Sequence, residues 1–422
     1  MKRYESYKES GVEWIGEMPS SWNISKIKYI GRYINGYAFK PADWSQKGLP
    51  IIRIQDLTGS NEEPNRYEGT LDEKYLIKDG DLLVSWAATI GAFRWSGQKG
   101  WLNQHIFKVI PNEDVCSKEY AYWLFDSSVK ELDHANKHGI MMAHLTSSVF
   151  NSFTVPLPPL DEQHTIAQWL EEEVNRVEET IDSCLKSINL LHEYRQSIIT
   201  EAVTHGLDPN APMKPSDIEW IGDIPSNWKT SRGKAVFAEK DIRSETGEEE
   251  LLTVSHITGV TPRSAKNVNM FMAESLVGYK VCEAGDIAAN TMWLWQGAIG
   301  VVPAKGVISY SYSVYHQLDN AYDDRFLDYL LRSNAMVSAY CANSTGITKS
   351  RLRLYPDKFL TLKWPIPPMS EQKSIAAYLD TKTAEIDVLI ASKERQVELL
   401  REYRKSIISE AVTGKFKVPG LE

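Results

Sequence analysis

The chain repeats itself once, over a very long period. Glu13-Trp14-Ile15-Gly16-Glu17-Met18-Pro19-Ser20-Ser21-Trp22 returns 206 residues later as Glu219-Trp220-Ile221-Gly222-Asp223-Ile224-Pro225-Ser226-Asn227-Trp228. Residues 156–204 return 209 positions later as 365–413, with 22 of those 49 positions identical and no gaps. Between these matched ends the two middles agree only sparsely. Solenoid units repeat every ~20–50 residues, so this period means two whole domains of one kind in one chain of 422 residues. Constant ends with divergent middles point to one scaffold presenting two different recognition surfaces.

The composition is that of an ordinary globular protein, 42% hydrophobic and 24% charged. No apolar run approaches the ~20 residues of a membrane span. Met1-Lys2-Arg3-Tyr4-Glu5-Ser6 has no apolar segment behind its charges, so no signal peptide and no membrane partner are expected, and the protein is expected to be cytoplasmic. Cys116, Cys184, Cys282 and Cys341 stand singly, which predicts a reducing compartment and buried thiols. The net charge of −9 is unevenly spread: residues 161–208 carry 3 basic and 11 acidic side chains. The middles are close to neutral, with 18 basic and 19 acidic residues in 1–160 and 17 of each in 209–369. Each middle can therefore carry a basic face.

The longer repeated segment predicts a helix. Apolar residues fall at Ile166, Leu170, Val174, Val177, Ile181, Leu185, Ile188, Leu191, Ile198 and Ala202 in the first copy. In the second they fall at Ile375, Leu379, Ile386, Leu389, Val397, Leu400, Ile407 and Ala411. Steps of three and four suit a coiled-coil seam. Neither 161–205 nor 370–413 contains Pro or Gly. Pro-Leu-Pro-Pro and Pro-Ile-Pro-Pro bar helix upstream, Asp161 and Ser370 are the expected N-caps, and Gly206 and Gly414 mark the ends. About 43 helical residues span roughly 65 Å, more than either domain should be wide. The first helix is acidic (Glu171-Glu172-Glu173, Glu178-Glu179) and the second carries Lys382, Lys393, Arg395, Arg401, Arg404 and Lys405. That charge balance favours pairing of the first helix with the second over self-pairing.

The middles read as mixed α+β. β-rich runs occur at 50–54, 81–85 and 105–110, with counterparts at 251–254, 286–289 and 312–315. Gly80-Asp81 and Gly285-Asp286 are turns before matching strands. Residues 120–125 and 326–331 read as short helices, and 209–215 as a linker.

These landmarks together resemble the specificity subunit of type I restriction–modification enzymes, along the whole chain. The resemblance rests on the duplicated Trp-Ile-Gly-(Glu/Asp)-x-Pro-Ser-x-Trp opening, the Pro-(Leu/Ile)-Pro-Pro-x-x-Glu-Gln helix entry and the Glu-Tyr-Arg-x-Ser-Ile-Ile-x-Glu-Ala-Val-Thr helix exit. It implies an α/β architecture with two target recognition domains, 1–157 and 207–366. Two long helices, 158–206 and 367–422, would form an antiparallel coiled coil. Each domain would read one half of a split, asymmetric site in double-stranded DNA. The helices would fix the gap and dock two methyltransferase subunits, with a separate motor–nuclease subunit completing the enzyme. The chain itself would be non-catalytic and bind no cofactor. S-adenosylmethionine, ATP and Mg would belong to its partners. In agreement, the sequence has no GxxxxGK(S/T) loop, no Asn-Pro-Pro-Tyr or Asp-Pro-Pro-Tyr motif and no glycine-rich cofactor loop after a strand. The alternative class is a free-standing dimeric DNA-binding or scaffold protein using the same coiled coil.

Candidate DNA-reading residues follow from base-edge chemistry, in which Arg suits guanine and Asn or Gln suits adenine. In the first middle these are Arg94, Asn103, Gln104 and His105, each alternatively an ordinary surface or edge residue. Trp86 and Trp101 read as core. His134, His138 and His144 are spaced by 4 and 6, but Gly139 interrupts any helix and no Cys or carboxylate completes a metal set. His138 and His144 are therefore DNA-contact candidates, or solvated loop residues. In the second middle, Thr345, Thr348, Lys349, Arg351 and Arg353 surround Gly346, a pattern suited to phosphate. Gln296 is a contact candidate beside Trp293 and Trp295, one of which should be core. Tyr310 and Tyr312 alternate, so one face of a strand should bear both rings.

Overall fold

A computed structural model describes residues 2–60, 63–87, 89–137, 147–266, 275–348 and 352–421, with backbone alone for residues 130, 132–137 and 147–149. Contacts divide the chain into two compact units, residues 1–184 with 395–422, and residues 185–394. The long helices are Leu160–His205 and Met369–Val412. Each is shared between the units, whereas the sequence alone separates helices from domains.

Each unit is built on a four-stranded antiparallel sheet of the same topology. In the first the order is Gly31–Asn35, Ile106–Pro111, Leu82–Ser85, Gly91–Arg94. In the second it is Phe237–Lys240, Ser313–Gln317, Ile287–Ala289, Ile299–Val301. A helix follows the matching strand in each: Lys118–Lys137, longer than the short helix expected at 120–125, and Asp324–Leu331. The repeated opening motif is a hairpin turn. Tyr7–Glu9 pairs with Glu17–Pro19, and Met213–Ile218 with Gly222–Pro225. The second hairpin takes in Pro215, so the expected 209–215 linker is strand from Met213 onward. Pro215 fits there because the hairpin is a two-stranded edge.

The helix entry is a polar clamp, and the clamp explains the repeated motifs. Trp22 and Trp228 are fully buried, and each indole N–H donates to a carboxylate at 2.9 Å, Glu162 and Glu371 respectively. The adjoining Gln163 is also fully buried. Its Oε1 accepts from the Ser117 N–H, and its Nε2 donates to the Val115 and Pro158 carbonyls, all at 2.9 Å. Gln372 repeats this with Asp323, Ala321 and Pro367 at 2.8, 3.0 and 2.9 Å. A buried amide surrounded by backbone groups must satisfy them all. The Glu-Gln pair is thus a structural requirement, and the neighbouring Trp is its partner.

Within each unit the two long helices pack antiparallel. In the first, Val177, Ile181 and Cys184 bury against Val397, with Leu400 alongside, and Val174 shares a core with Ile407. In the second, Ile188 buries with Ile386 and Ile390, flanked by Leu191 and Ile198. The seam steps 177, 181, 184, 188, 191 keep strict four–three alternation. Leu185 and Leu389, expected in the seam, fall out of that phase and are exposed, while Cys184 and Ile390 take the buried positions. Arg195 and Arg404 stand at seam positions and pair across it. Arg404 meets Glu178 at 2.7 Å in the first unit, and Arg195 meets Asp387 at 3.3 Å in the second. Both members of these pairs are 209 residues apart, so the same polar registration device is used twice. Three cysteines are buried, but Cys341 is exposed, contrary to expectation.

A further ion pair, partly buried, occurs at each of the Gly-Asp turns. Asp81 binds Lys108 and Asp286 binds Lys240, each at 2.7 Å, although the lysines come from different strands. Asp286 is buried and also accepts the Glu283 N–H at 2.8 Å. Replacing Lys240 with methionine leaves that carboxylate without its cation. The expected loss is about 2–3 kcal/mol of stability, readable as a lowered urea midpoint. A shift within error would show that solvent already screens the pair.

Candidate nucleic-acid interface

Three of the expected reading residues of the first unit, Asn103, Gln104 and His105, lie at one end of its sheet. Ile106 pairs with Ser85, and Ser85 with Gly91. Just beyond them, the Trp86 N–H donates to the His105 carbonyl at 3.3 Å, and the two rings meet edge to face at 5.2 Å. Trp86 is half-buried and packs against the edge of the core, whereas Trp101 is buried as expected. Gln104 Nε2 lies 3.3 Å from His105 Nε2, and Asn103 Oδ1 accepts the Gln104 N–H at 2.8 Å. His105 Nδ1 is buried without a partner among the described residues. The Asn103 N–H donates to the Ile52 carbonyl at 3.1 Å, and Tyr37 bridges Asn103. The close approach requires glycine at position 36, where a Cβ would lie 2.0 Å from the Asn103 carbonyl oxygen.

Arg94 does not join this cluster. It pairs in register with Leu82, at the opposite end of the strand from Gly91. Its guanidinium binds Glu171 of the first long helix and lies 4.1 Å from the Tyr122 ring centroid. Arg94 lines a cavity of about 660 Å³ with Lys118, Tyr122, His164 and Glu171. Its geometry is that of a tie between sheet and helix.

The second unit has its cluster at the same sheet end. Ser313 pairs with Ala289, as Ile106 pairs with Ser85, so Asn290 stands where Trp86 stands and Tyr312 where His105 stands. There Asn290 Nδ2 donates to the Tyr312 hydroxyl at 2.9 Å. Burial pushes the Tyr312 pKa above its ordinary value, so the hydroxyl keeps its proton and can donate it. Tyr310 and Tyr312 do not share a strand face as expected. The strand begins only at Ser313, because residues 309–312 form a turn in which the Tyr312 N–H donates to the Ser309 carbonyl at 2.9 Å. Tyr310 is exposed and meets Tyr279 edge to face.

Neither Trp293 nor Trp295 is core. A 3-10 turn at Leu294–Gln296 buries Leu294 instead and leaves the two indoles stacked, 6.3 Å apart, with Trp293 exposed. Gln296 is half-buried in that turn. Thr345 and Arg353 exchange both backbone hydrogen bonds at 2.9 Å, closing the loop between them. The next residue ties the loop to the cluster, the Leu354 N–H donating to the Thr291 carbonyl at 3.3 Å. Thr348 is among the described loop residues. Lys349 and Arg351 lie outside them, as do His138 and His144, and His134 is described by its backbone alone. Among the described residues no group of three or more His, Cys, Asp or Glu is placed to hold a metal. Among them, too, no helix is long and apolar enough to cross a membrane.

Known proteins similar to this chain share one description. The model of the type I restriction modification DNA specificity domain matches residues 19–186. The MjaVIII specificity subunit of Methanocaldococcus jannaschii is 24% identical over 96% of this chain and 95% of its own length. The EcoBI specificity subunit of Escherichia coli is 28% identical over 46% of this chain, which spans 41% of that relative. A chain solved in work on complex assembly and conformational transition of the type I R-M system shares the fold, with a TM-score of 0.69 at 16% identity. The match covers 94% of this chain and 98% of that one. Residues 19–186 thus match the type I restriction modification DNA specificity domain, and nearly the whole chain is similar to type I restriction enzyme specificity subunits.

Proposed function

We propose that each unit reads one half of a bipartite, asymmetric site in double-stranded DNA, and that the long helices dock two methyltransferase subunits. The observation that carries the first part is the equivalence of the two sheet ends. The clamps and topology are the same, yet the paired positions are Trp86 and His105 in one unit and Asn290 and Tyr312 in the other. Different donors and acceptors on one scaffold suit two different base sequences. The docking part is supported by Leu190 and Tyr194, 64% and 56% exposed, and by Leu399 and Tyr403, 48% and 39% exposed. The pairs are 209 residues apart and each spans one helical turn, so the same exposed apolar patch is offered twice. Twofold presentation suits two copies of one partner. In this reading S-adenosylmethionine, ATP and Mg belong to the methyltransferase and motor–nuclease subunits, and the complex works in the cytoplasm.

The test is the methylome of cells expressing the chain with a methyltransferase partner. Long-read sequencing should return an adenine-methylated motif of two defined halves around a non-specific spacer. A single continuous motif would defeat the bipartite reading.

A further inference from the structure

An arginine, Arg53, stands beside Asn103 at the same sheet end of the first unit. Arg53 directly follows the strand Leu49–Ile52, which runs parallel to Gly100–Leu102 with Ile52 opposite Leu102. Asn103 is the next residue of the partner strand, and its N–H holds the Ile52 carbonyl at 3.1 Å. Arg53 and Asn103 therefore leave the sheet side by side.

Three contacts fix the arginine. Its backbone N–H donates to Asp56 Oδ2 at 2.8 Å. Its guanidinium carbon lies 4.6 Å from the Trp44 ring centroid, and Trp44 is 45% exposed. With the Asn65 amide oxygen turned toward the guanidinium, Nη1 and Nη2 donate to it at 3.0 and 2.9 Å. Asn65 is itself anchored, its carbonyl accepting the Ile51 N–H at 2.7 Å. The ring face and the amide orient the guanidinium, whereas Arg94 is held by the Glu171 carboxylate. Asn65 engages the terminal nitrogens from one direction and leaves the Nε–Nη2 edge of the fork. Such an edge matches the N7 and O6 acceptors of guanine, and a stacked, pre-oriented guanidinium loses little freedom on binding.

On the bipartite reading above, we propose that Arg53 reads a guanine in the half-site of the first unit, with Trp44 and Asn65 as positioning residues. The second unit lacks the device. Leu251 bridges Val307 in parallel, as Ile51 pairs with Trp101, which puts Thr253 at the position of Arg53. Thr253 is engaged with the Thr261 carbonyl at 3.2 Å. This guanine is therefore a property of one half only.

The test compares wild type with Arg53→Ala, Arg53→Lys, Trp44→Ala and Trp44→Phe in the full chain, expressed with its methyltransferase and read by long-read methylome sequencing. Both Arg53 variants should accept other bases at one guanine position, with discrimination there falling about 10–100-fold, while the opposite half stays intact. Lysine keeps the charge and the fold but loses the fork, so relaxation by Arg53→Lys separates base reading from phosphate attraction. Trp44→Ala should relax the same position more weakly, and Trp44→Phe should restore it. An unchanged motif in the Arg53 variants overturns the proposal. So does uniformly weaker methylation with the guanine retained, which would make Arg53 a phosphate contact. Absence of any bipartite motif in the wild type is a separate result, and overturns the functional reading on which this inference rests.

Discussion

Replacing Gln163 or Gln372 with leucine is expected to destabilise the protein by about 3–4 kcal/mol in either case. Each substitution orphans one N–H and two carbonyls that the buried amide now satisfies, and each unsatisfied buried group costs about 1–3 kcal/mol. Leucine returns some of this through apolar burial, which keeps the total below the sum. Gln168→Leu on the same helix is the comparison. Gln168 is exposed, and such surface changes stay within about 0.5 kcal/mol. Urea denaturation of the three variants measures the contrast. A loss below about 1 kcal/mol for Gln163→Leu would mean that water or a backbone shift replaces the clamp.

The second large effect concerns assembly. Leu190→Lys and Leu399→Lys are each expected to remove one methyltransferase subunit from the complex, and the double variant both. A lysine in a desolvated apolar contact loses at least the ~2 kcal/mol of a hot-spot residue, roughly thirtyfold in affinity. Lysine is a good helix former and both leucines are exposed, so the chain itself should remain folded. Native mass spectrometry of the co-expressed complex reads the stoichiometry directly. Retention of two methyltransferase subunits by the double variant would place the docking surface elsewhere.

Much of the fold is legible in the sequence because its signals are long and periodic. The two long helices follow the proline segments and stop short of Gly206 and Gly414 as expected. They start at Leu160 and Met369, however, so Asp161 and Ser370 lie in the first turn and are not the N-caps, and the second ends at Val412, short of the expected 422. Strand positions came from β-rich runs and Gly-Asp turns, and the structure starts the 286–289 and 312–315 strands at Ile287 and Ser313. The seam was only partly legible. Leu185 and Leu389 look like seam residues by hydrophobicity, yet Cys184 and Ile390 hold the phase, and only the partner helix decides between them. The site was less legible still. Arg94 has the right chemistry for guanine, but nothing near it in sequence announces Glu171, 77 residues away. One of Trp293 and Trp295 looks like core until a 3-10 turn buries the leucine between them. Tyr37 and Arg53 were missed because they reach Asn103 through an isolated bridge and a parallel strand pair, and Trp44 joins only through its ring contact with Arg53. The available signal was the interleaving of Tyr37, Lys40, Trp44, Lys47 and Arg53, aromatic and basic residues in one stretch.

The central claim is that each unit reads its own half-site independently. Exchange of residues 23–150 for the corresponding region of a homologue with a different motif tests it most directly. The exchange keeps Trp22, Pro158, Glu162 and Gln163, and the other two clamp partners, at Val115 and Ser117, are backbone groups that the homologue's chain also supplies. The measurement is the methylated motif of the chimaera, expressed with its methyltransferase. The expected result is a new sequence in one half, with the other half unchanged. A change in both halves, or an unchanged motif in an active complex, would contradict independent reading by the two units.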